Sequence, residues 1–153
     1  MRLLVISDIH GNYYALERVV KKHPEANALL FLGDGERDIE NISDKCKMPI
    51  YSVSGNCDWG SLLPSEKILE FGGKKILITH GDKYKVKFGV DYLLNSAKQR
   101  NIDIVCFGHT HVRFEQYVDI CAMNPGSLSQ GSGSYGMIDI TDRGEVIFLF
   151  DSV

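Results

Sequence analysis

The stretch LLVISDIHGN, residues 3–12, decides the fold, because a continuous apolar run passes there directly into polar residues. A short apolar run with polar boundaries is typical of a strand that is buried on both faces. Downstream, Leu16, Val19 and Val20 recur at helical spacing up to Pro24, where a helix is expected to end. The opening of the chain therefore predicts a strand, a loop and a helix.

The same arrangement recurs through the first half of the chain. Residues 28–32 and 49–54 are further apolar runs, which end in Gly33-Asp34 and Gly55-Asn56. Residues 38–44 between them favour a short polar helix. Strands that are separated by helices in this way are typical of a parallel sheet, in which polar loop residues gather at the carboxyl ends of the strands.

The second half predicts a different arrangement. Two apolar runs flank Gly72-Gly73 and predict a hairpin, which makes the sheet mixed. Apolar residues at helical spacing from Val86 to Ala97 predict a helix of about 15 residues, followed by a buried strand at 103–107. Four further strands predict an antiparallel meander, at residues 113–118, 120–123, 135–140 and 145–150. We expect the Gly- and Ser-rich residues 126–136 to form a mobile loop.

Length and composition narrow the class of protein. A chain of 153 residues suits one domain, residues 1–153. Its net charge of -3 provides no broad basic surface, so no long nucleic acid is expected as a partner. The apolar opening run ends at Ser7 and Asp8, too early for a signal peptide or a membrane span, which predicts a cytoplasmic protein without a membrane partner. The four cysteines form no Cys-x-x-Cys pair and are expected to be reduced. The sequence does not decide between a monomer and a homo-oligomer.

The candidate functional residues share one kind of position. Four of the five histidines directly follow predicted strands beside Gly or Asp, and two carboxylates and one amide do the same. Imidazole nitrogen together with carboxylate oxygen suits Zn, Fe, Mn and similar divalent ions. Because strand ends converge on one edge of a sheet, these residues are expected to form one metal site. The seven candidates are Asp8, His10, Asp34, Asn56, His80, His109 and His111.

Five motifs in this order resemble a known family. The chain contains Asp8-Ile9-His10-Gly11-Asn12, Gly33-Asp34-Gly35, Gly55-Asn56-Cys57-Asp58, Thr79-His80-Gly81 and Gly108-His109-Thr110-His111. Their order and approximate spacing resemble the calcineurin-like metallophosphoesterases. The short chain, the Asn-Cys-Asp motif and residues 124–127 look most like the small YfcE-type phosphodiesterases of bacteria and archaea. Each motif is weak alone, but the five together are specific.

The resemblance implies a fold, a cofactor and an activity. The fold would be α/β, with two facing mixed β-sheets flanked by helices and the metals at the carboxyl edge. One ion would take Asp8, His10 and His111, the second Asn56, His80 and His109, and Asp34 would bridge both. We expect two divalent ions per chain, Mn first, with Ni, Zn, Fe or Mg as alternatives. The predicted reaction is hydrolysis of a small phosphodiester by a metal-bridging hydroxide, with Asn56 also stabilising the phosphoryl oxygens.

Two other functions remain as alternatives. A phosphomonoesterase or phosphoprotein phosphatase would use the same ions, although the chain lacks long insertions for gripping a protein. An interaction scaffold with little turnover is the second alternative, because the retromer subunit Vps29 is similar in fold.

Several residues near the motifs are given structural roles instead. His23 lies at a helix end, Lys83, Lys85 and Lys87 form a solvated charge cluster, and Asp58 is expected to be a turn carboxylate. Cys57 is a departure from the family, many members of which have a proton-donating histidine at this position.

Overall fold

The computed structural model describes residues 1–153, which form ten strands and three α-helices. The elements follow the chain as β1 (Arg2–Ile6), α1 (Tyr13–Lys22), β2 (Ala28–Phe31), α2 (Glu36–Ile42), β3 (Ile50–Ser52), β4 (Glu66–Phe71), β5 (Lys74–Thr79), α3 (Asp91–Gln99), β6 (Ile104–Cys106), β7 (Arg113–Gln116), β8 (Cys121–Pro125), β9 (Ser134–Ile140) and β10 (Val146–Ser152). Two 3₁₀ turns, Asp82–Tyr84 and Val86–Phe88, precede α3. None of the helices is both long and apolar enough to cross a membrane.

The strands form two mixed sheets. The first sheet has the order β10-β9-β1-β2-β3, with β1, β2 and β3 parallel and β9 antiparallel to both β1 and β10. The second sheet has the order β4-β5-β6-β8-β7, in which β5, β6 and β8 are parallel. The hairpin β4–β5 turns at Gly72-Gly73, as predicted. The predicted α/β fold with two mixed sheets is confirmed.

Side chains of β1 show how the layers are held together. Leu3 and Val5 point into an apolar core shared with the second sheet, whereas Leu4 and Ile6 pack in a core that includes residues of α1 and α2. The alternation follows from the two-residue period of a strand. All four are fully buried, and burying a Leu, Ile or Val side chain contributes roughly 1.5–3 kcal/mol. A third core places α3 on the opposite face of the second sheet.

One predicted helix is wrong. The region predicted as a helix of about 15 residues contains a 3₁₀ turn and the nine-residue helix α3. Gly89 separates them with a φ of 135°, a conformation that an α-helix does not accommodate. The apolar spacing was correct for Leu93, Leu94 and Ala97, which are buried. Helix α2 also begins two residues before the predicted start at residue 38.

The predicted meander is also wrong. Strands β7 and β8 belong to the second sheet, whereas β9 and β10 belong to the first, so the chain changes sheets between Pro125 and Ser134. This connection is not mobile at its start, because Ser127 and Leu128 are buried and the backbone N–H of Leu128 donates to the Ser7 carbonyl at 3.1 Å. The crossing brings residues 127–129 against the end of β1, where the first motif lies.

Candidate metal centre

The strand ends bring all seven predicted ligands together. Asp8 and His10 follow β1, Asp34 follows β2 and Asn56 follows β3, all in the first sheet. His80 follows β5, and the pair His109 and His111 follows β6, both in the second sheet. Because the strands within each sheet that carry these residues are parallel, their carboxyl ends form one edge.

Close contacts divide the residues into two groups that meet at Asp34. In the first group, Asp8 Oδ1 lies 2.9 Å from His111 Nε2 and 3.6 Å from His10 Nε2. His10 Nε2 lies 3.7 Å from Asp34 Oδ2, and the same oxygen lies 3.3 Å from His80 Nε2. Asp34 Oδ2 therefore faces both groups.

The second group centres on the His80 ring. His80 Nε2 lies 3.0 Å from Asn56 Oδ1 and 3.1 Å from His109 Nδ1. The other ring nitrogen, Nδ1, lies 2.8 Å from the Leu32 carbonyl oxygen, which can only accept a hydrogen bond. In a neutral ring Nδ1 must carry the proton, so the Nε2 lone pair faces a carboxylate, an amide oxygen and a second ring nitrogen. Imidazole nitrogens, a carboxylate oxygen and an amide oxygen that converge on one point are the arrangement expected of a divalent metal site.

The pKa shifts of the buried residues Asp34 and His80 also indicate that positive charge is favoured at this site. Burial alone would raise the pKa of Asp34, but hydrogen bonding and the charge of His80, with the Cys57 N–H at 2.8 Å, lower the pKa overall. Burial alone would lower the pKa of His80, but Asp34 and Asp8 raise the pKa overall.

Backbone conformation at the site is strained. Five of the seven predicted ligands have left-handed φ values between 45° and 68°: Asp8, His10, Asp34, His109 and His111. This region is uncommon for residues other than Gly, and each occurrence costs of the order of 1–2 kcal/mol. A strand that ends in this conformation turns sharply, which aims the next side chain into the site.

This strain predicts an unusual order of stability for paired substitutions. At φ 68°, His109→Gly should unfold with a free energy about 1 kcal/mol higher than His109→Ala, because only Ala has a Cβ that clashes in this conformation. Chemical denaturation in EDTA measures the difference without a contribution from metal binding. Arg18 is exposed within α1 and provides the control pair. Arg18→Ala should have a free energy of unfolding about 1 kcal/mol higher than Arg18→Gly, because Ala is favoured over Gly in a helix. If the Ala variant has the higher free energy of unfolding at both positions, the backbone at His109 is unstrained.

Asp58 fixes two of the loops that carry predicted metal ligands. Its Oδ1 accepts hydrogen bonds from the backbone N–H groups of Gly35 and Glu36, and its Oδ2 accepts from those of Asp34 and Gly55, at 2.8–3.0 Å. The carboxylate thereby ties the loop after β2 to the loop after β3. The turn role that the sequence predicts for Asp58 is correct, but its reach to the loop of Asp34 was not predicted.

Residues 124–129 support the loops after β1 and β6. Asn124 is buried and its Nδ2 donates to the Gly108 carbonyl at 2.8 Å, beside His109. Ser127 Oγ donates to the Asp8 carbonyl at 3.0 Å. Ser7 Oγ donates to Asp8 Oδ2 at 2.6 Å. The match of residues 124–127 to the family was the only sequence signal for this support, and it did not indicate which loops they hold.

Two further residues sit beside the predicted ligands. The Gln130 side-chain amide lies 2.7 Å from His111 Nδ1, a contact that can fix the orientation of this ring, and no sequence signal indicated it. Cys57 Sγ lies within 4.8 Å of ligand atoms of His10 and Asp34. His23, in contrast, is bonded to Tyr135 Oη at 2.9 Å within the α1 core, consistent with its predicted structural role.

Glycines permit the loops to approach one another closely. A Cβ on Gly55 would overlap the carboxylate of Asp34, and a Cβ on Gly108 would overlap Ser7 Oγ. Neither glycine has a positive φ, so close packing, rather than backbone conformation, is what excludes a side chain at these positions.

Comparisons with known proteins agree with the motifs. Residues 1–143 match the model of the calcineurin-like phosphoesterase superfamily domain. The chain is 30% identical over 156 residues to "Probable metallophosphoesterase YsnB" of Bacillus subtilis, covering 99% of this chain and 91% of that protein. It is 31% identical over 169 residues to "Phosphodiesterase YfcE" of Escherichia coli, covering 91% and 88%.

The fold is also similar to Vps29 of Entamoeba histolytica, with a TM-score of 0.79 at 20% identity. The match covers 100% of this chain and 99% of that chain. At this identity the likeness concerns the fold alone. The resemblance predicted from the five motifs is confirmed, and the family implies divalent metal ions. This chain belongs to the calcineurin-like phosphoesterase superfamily.

Proposed function

We propose that this protein is a dinuclear metal-dependent phosphodiesterase that hydrolyses small phosphodiesters. The observation that carries the proposal is the position of Asp34, whose Oδ2 lies within 3.7 Å of His10 Nε2 and 3.3 Å of His80 Nε2. One ion would be held by Asp8, His10 and His111 and the second by Asn56, His80 and His109, with Asp34 shared. When bound, such an ion pair lowers the pKa of water and neutralises charge on phosphoryl oxygens.

The protein's own residues contribute orientation and a hydrogen-bond donor. Asn56 Oδ1 faces His80, which leaves the Asn56 amide N–H₂ group with one hydrogen bond, to Cys57 Sγ at 3.5 Å. A sulfur acceptor is weak, so this N–H₂ group is available to a phosphoryl oxygen. Donors aimed at developing negative charge stabilise the transition state, and losing one typically costs about 10²–10³-fold in kcat.

Charge around the site favours a diester over a monoester. Two divalent ions with only Asp8 and Asp34 as carboxylate ligands would leave net positive charge for one phosphate anion. The cleft next to them is lined by Glu36, Asp38 and Glu40, with Arg37 as its one Lys or Arg. These acidic side chains oppose the second negative charge of a monoester more than the single charge of a diester.

A matched pair of substrates tests this preference. We expect bis-p-nitrophenyl phosphate to be hydrolysed faster than p-nitrophenyl phosphate when Mn²⁺, Ni²⁺, Mg²⁺ or Zn²⁺ is added in turn to metal-free protein. Release of nitrophenol measures both reactions, and protein kept in EDTA is the control. A consistently faster monoester reaction would instead support the phosphatase alternative.

The scaffold alternative has weaker support. All seven positions carry ligand-type side chains, and they converge within contact distance. Turnover together with metal stoichiometry separates the two functions: an enzyme hydrolyses phosphodiesters in proportion to bound metal, whereas a scaffold binds metal weakly and hydrolyses none.

A further inference from the structure

A cleft of about 770 Å³ opens directly from the predicted metal centre. His10 and Asp34 lie at its inner end, the beginning of α2 forms one wall and residues 57–62 form the other. A phosphodiester held at the metals therefore has space on this side for one of its two ester groups.

The wall formed by residues 57–62 carries two uncovered apolar side chains. Trp59 is 91% exposed and Leu62 is 100% exposed, and both line the cleft. Exposed large apolar groups that share one surface commonly mark a binding site, because leaving them in water is unfavourable. Trp59 is the only tryptophan in the chain.

The backbone that carries Trp59 is fixed. Asp58, the preceding residue, holds four backbone N–H groups. The N–H of Ser61 donates to the Asp58 carbonyl at 3.2 Å, and the N–H of Leu63 donates to Ser61 Oγ at 3.0 Å. A surface that is already ordered loses little conformational entropy when a ligand binds. The loop that carries the exposed indole is therefore preorganised.

We propose that Trp59 and Leu62 form a subsite that stacks a planar, uncharged aromatic group of the substrate, either a nucleobase or an aryl ring. The charged side chains of the lining are mostly acidic, which disfavours a second phosphate in the cleft, and an indole face stacks on any π-system. The proposal rests on the proposed function, because it assigns the chemistry of one ester group of that substrate.

Two phosphonates isolate the contribution of the ring, because neither contains a hydrolysable ester. Phenylphosphonate should bind Mn²⁺-loaded protein roughly 10- to 100-fold more tightly than methylphosphonate, the range expected for one stacked ring. Trp59→Ala should remove this preference, and Trp59→Phe should keep most of it. Calorimetric titration measures the affinities. Tyr92→Ala, a substitution of an exposed aromatic residue outside the cleft, is the matched control.

Tryptophan fluorescence provides a second readout that needs no turnover. Phenylphosphonate should change the Trp59 emission, and methylphosphonate should not. Comparing thymidine 5′-monophosphate with ribose 5-phosphate shows whether a nucleobase is accepted as well as an aryl ring.

Equal binding of the two phosphonates, or an equal loss of affinity for both in Trp59→Ala, would overturn the subsite. Hydrolysis of bis-p-nitrophenyl phosphate would in that case still support the phosphodiesterase. Absence of both phosphonate binding and diester hydrolysis would overturn the proposed function and the subsite together.

Discussion

Asp34→Ala is expected to lose more activity than substitution of any other predicted ligand. Asp34 Oδ2 faces His10 and His80, one from each group, so its removal withdraws an oxygen from both proposed ions. The loss of kcat should exceed the 10²–10³-fold that is typical of removing a single stabilising donor. Elemental analysis should show a fall from about two ions per chain toward one or none. Metal content and kcat are measured on the same preparations.

Two controls distinguish a shared ligand from a general loss of structure. His111→Ala should lose less activity than Asp34→Ala, because His111 contacts only the Asp8 side of the site. Asp44→Ala removes an exposed carboxylate two residues beyond α2 and should match the parent in both metal content and rate. Full activity without bound metal, or an Asp34→Ala variant as active as the parent, would refute the dinuclear site.

The sequence predicted those parts of the fold that have a local cause. The run at residues 3–6 is buried on both faces because β1 lies between two sheet neighbours and two apolar cores, and that burial is visible as continuous apolarity. The candidate ligands could be chosen because each directly follows such a run. Their convergence required only that parallel strands end on one edge.

Features that depend on distant partners could not be predicted in this way. Gly89 interrupts a helix whose apolar spacing is otherwise regular, and this spacing does not reveal its φ of 135°. The partners of β8 and β9 lie in different sheets, which their own residues do not encode. Apart from the local contact of Asp58 with Gly55, Asp58 and Gln130 act through residues 19 or more positions away, such as Glu36 and His111, so no local pattern indicates these distant contacts.

Cys57 leaves the site without an evident acid for the leaving group. A thiol is a weak hydrogen-bond donor, and burial together with the neighbouring Asp34 raises the pKa of the Cys57 thiol further above neutrality, which makes it a weaker general acid. Asp58 offers no substitute, because both of its oxygens are occupied by backbone N–H groups. A positioned general acid contributes about 10²–10⁴-fold, so its absence should be large enough to measure.

Rates are therefore expected to fall steeply from nitrophenyl to alkyl leaving groups, because an alkoxide leaves slowly without a proton. Cys57→Ser should keep nitrophenyl ester hydrolysis within about tenfold of the parent, well short of losing a dedicated acid. Cys57→His restores the residue that many superfamily members have, and it should flatten the dependence on leaving-group pKa. Metal content must be measured for each variant, since Cys57 Sγ lies within 4.8 Å of ligand atoms of His10 and Asp34. A flat dependence in the parent would show that an acid is present. Near-complete inactivation by Cys57→Ser with unchanged metal content would show that Cys57 supplies or positions this acid.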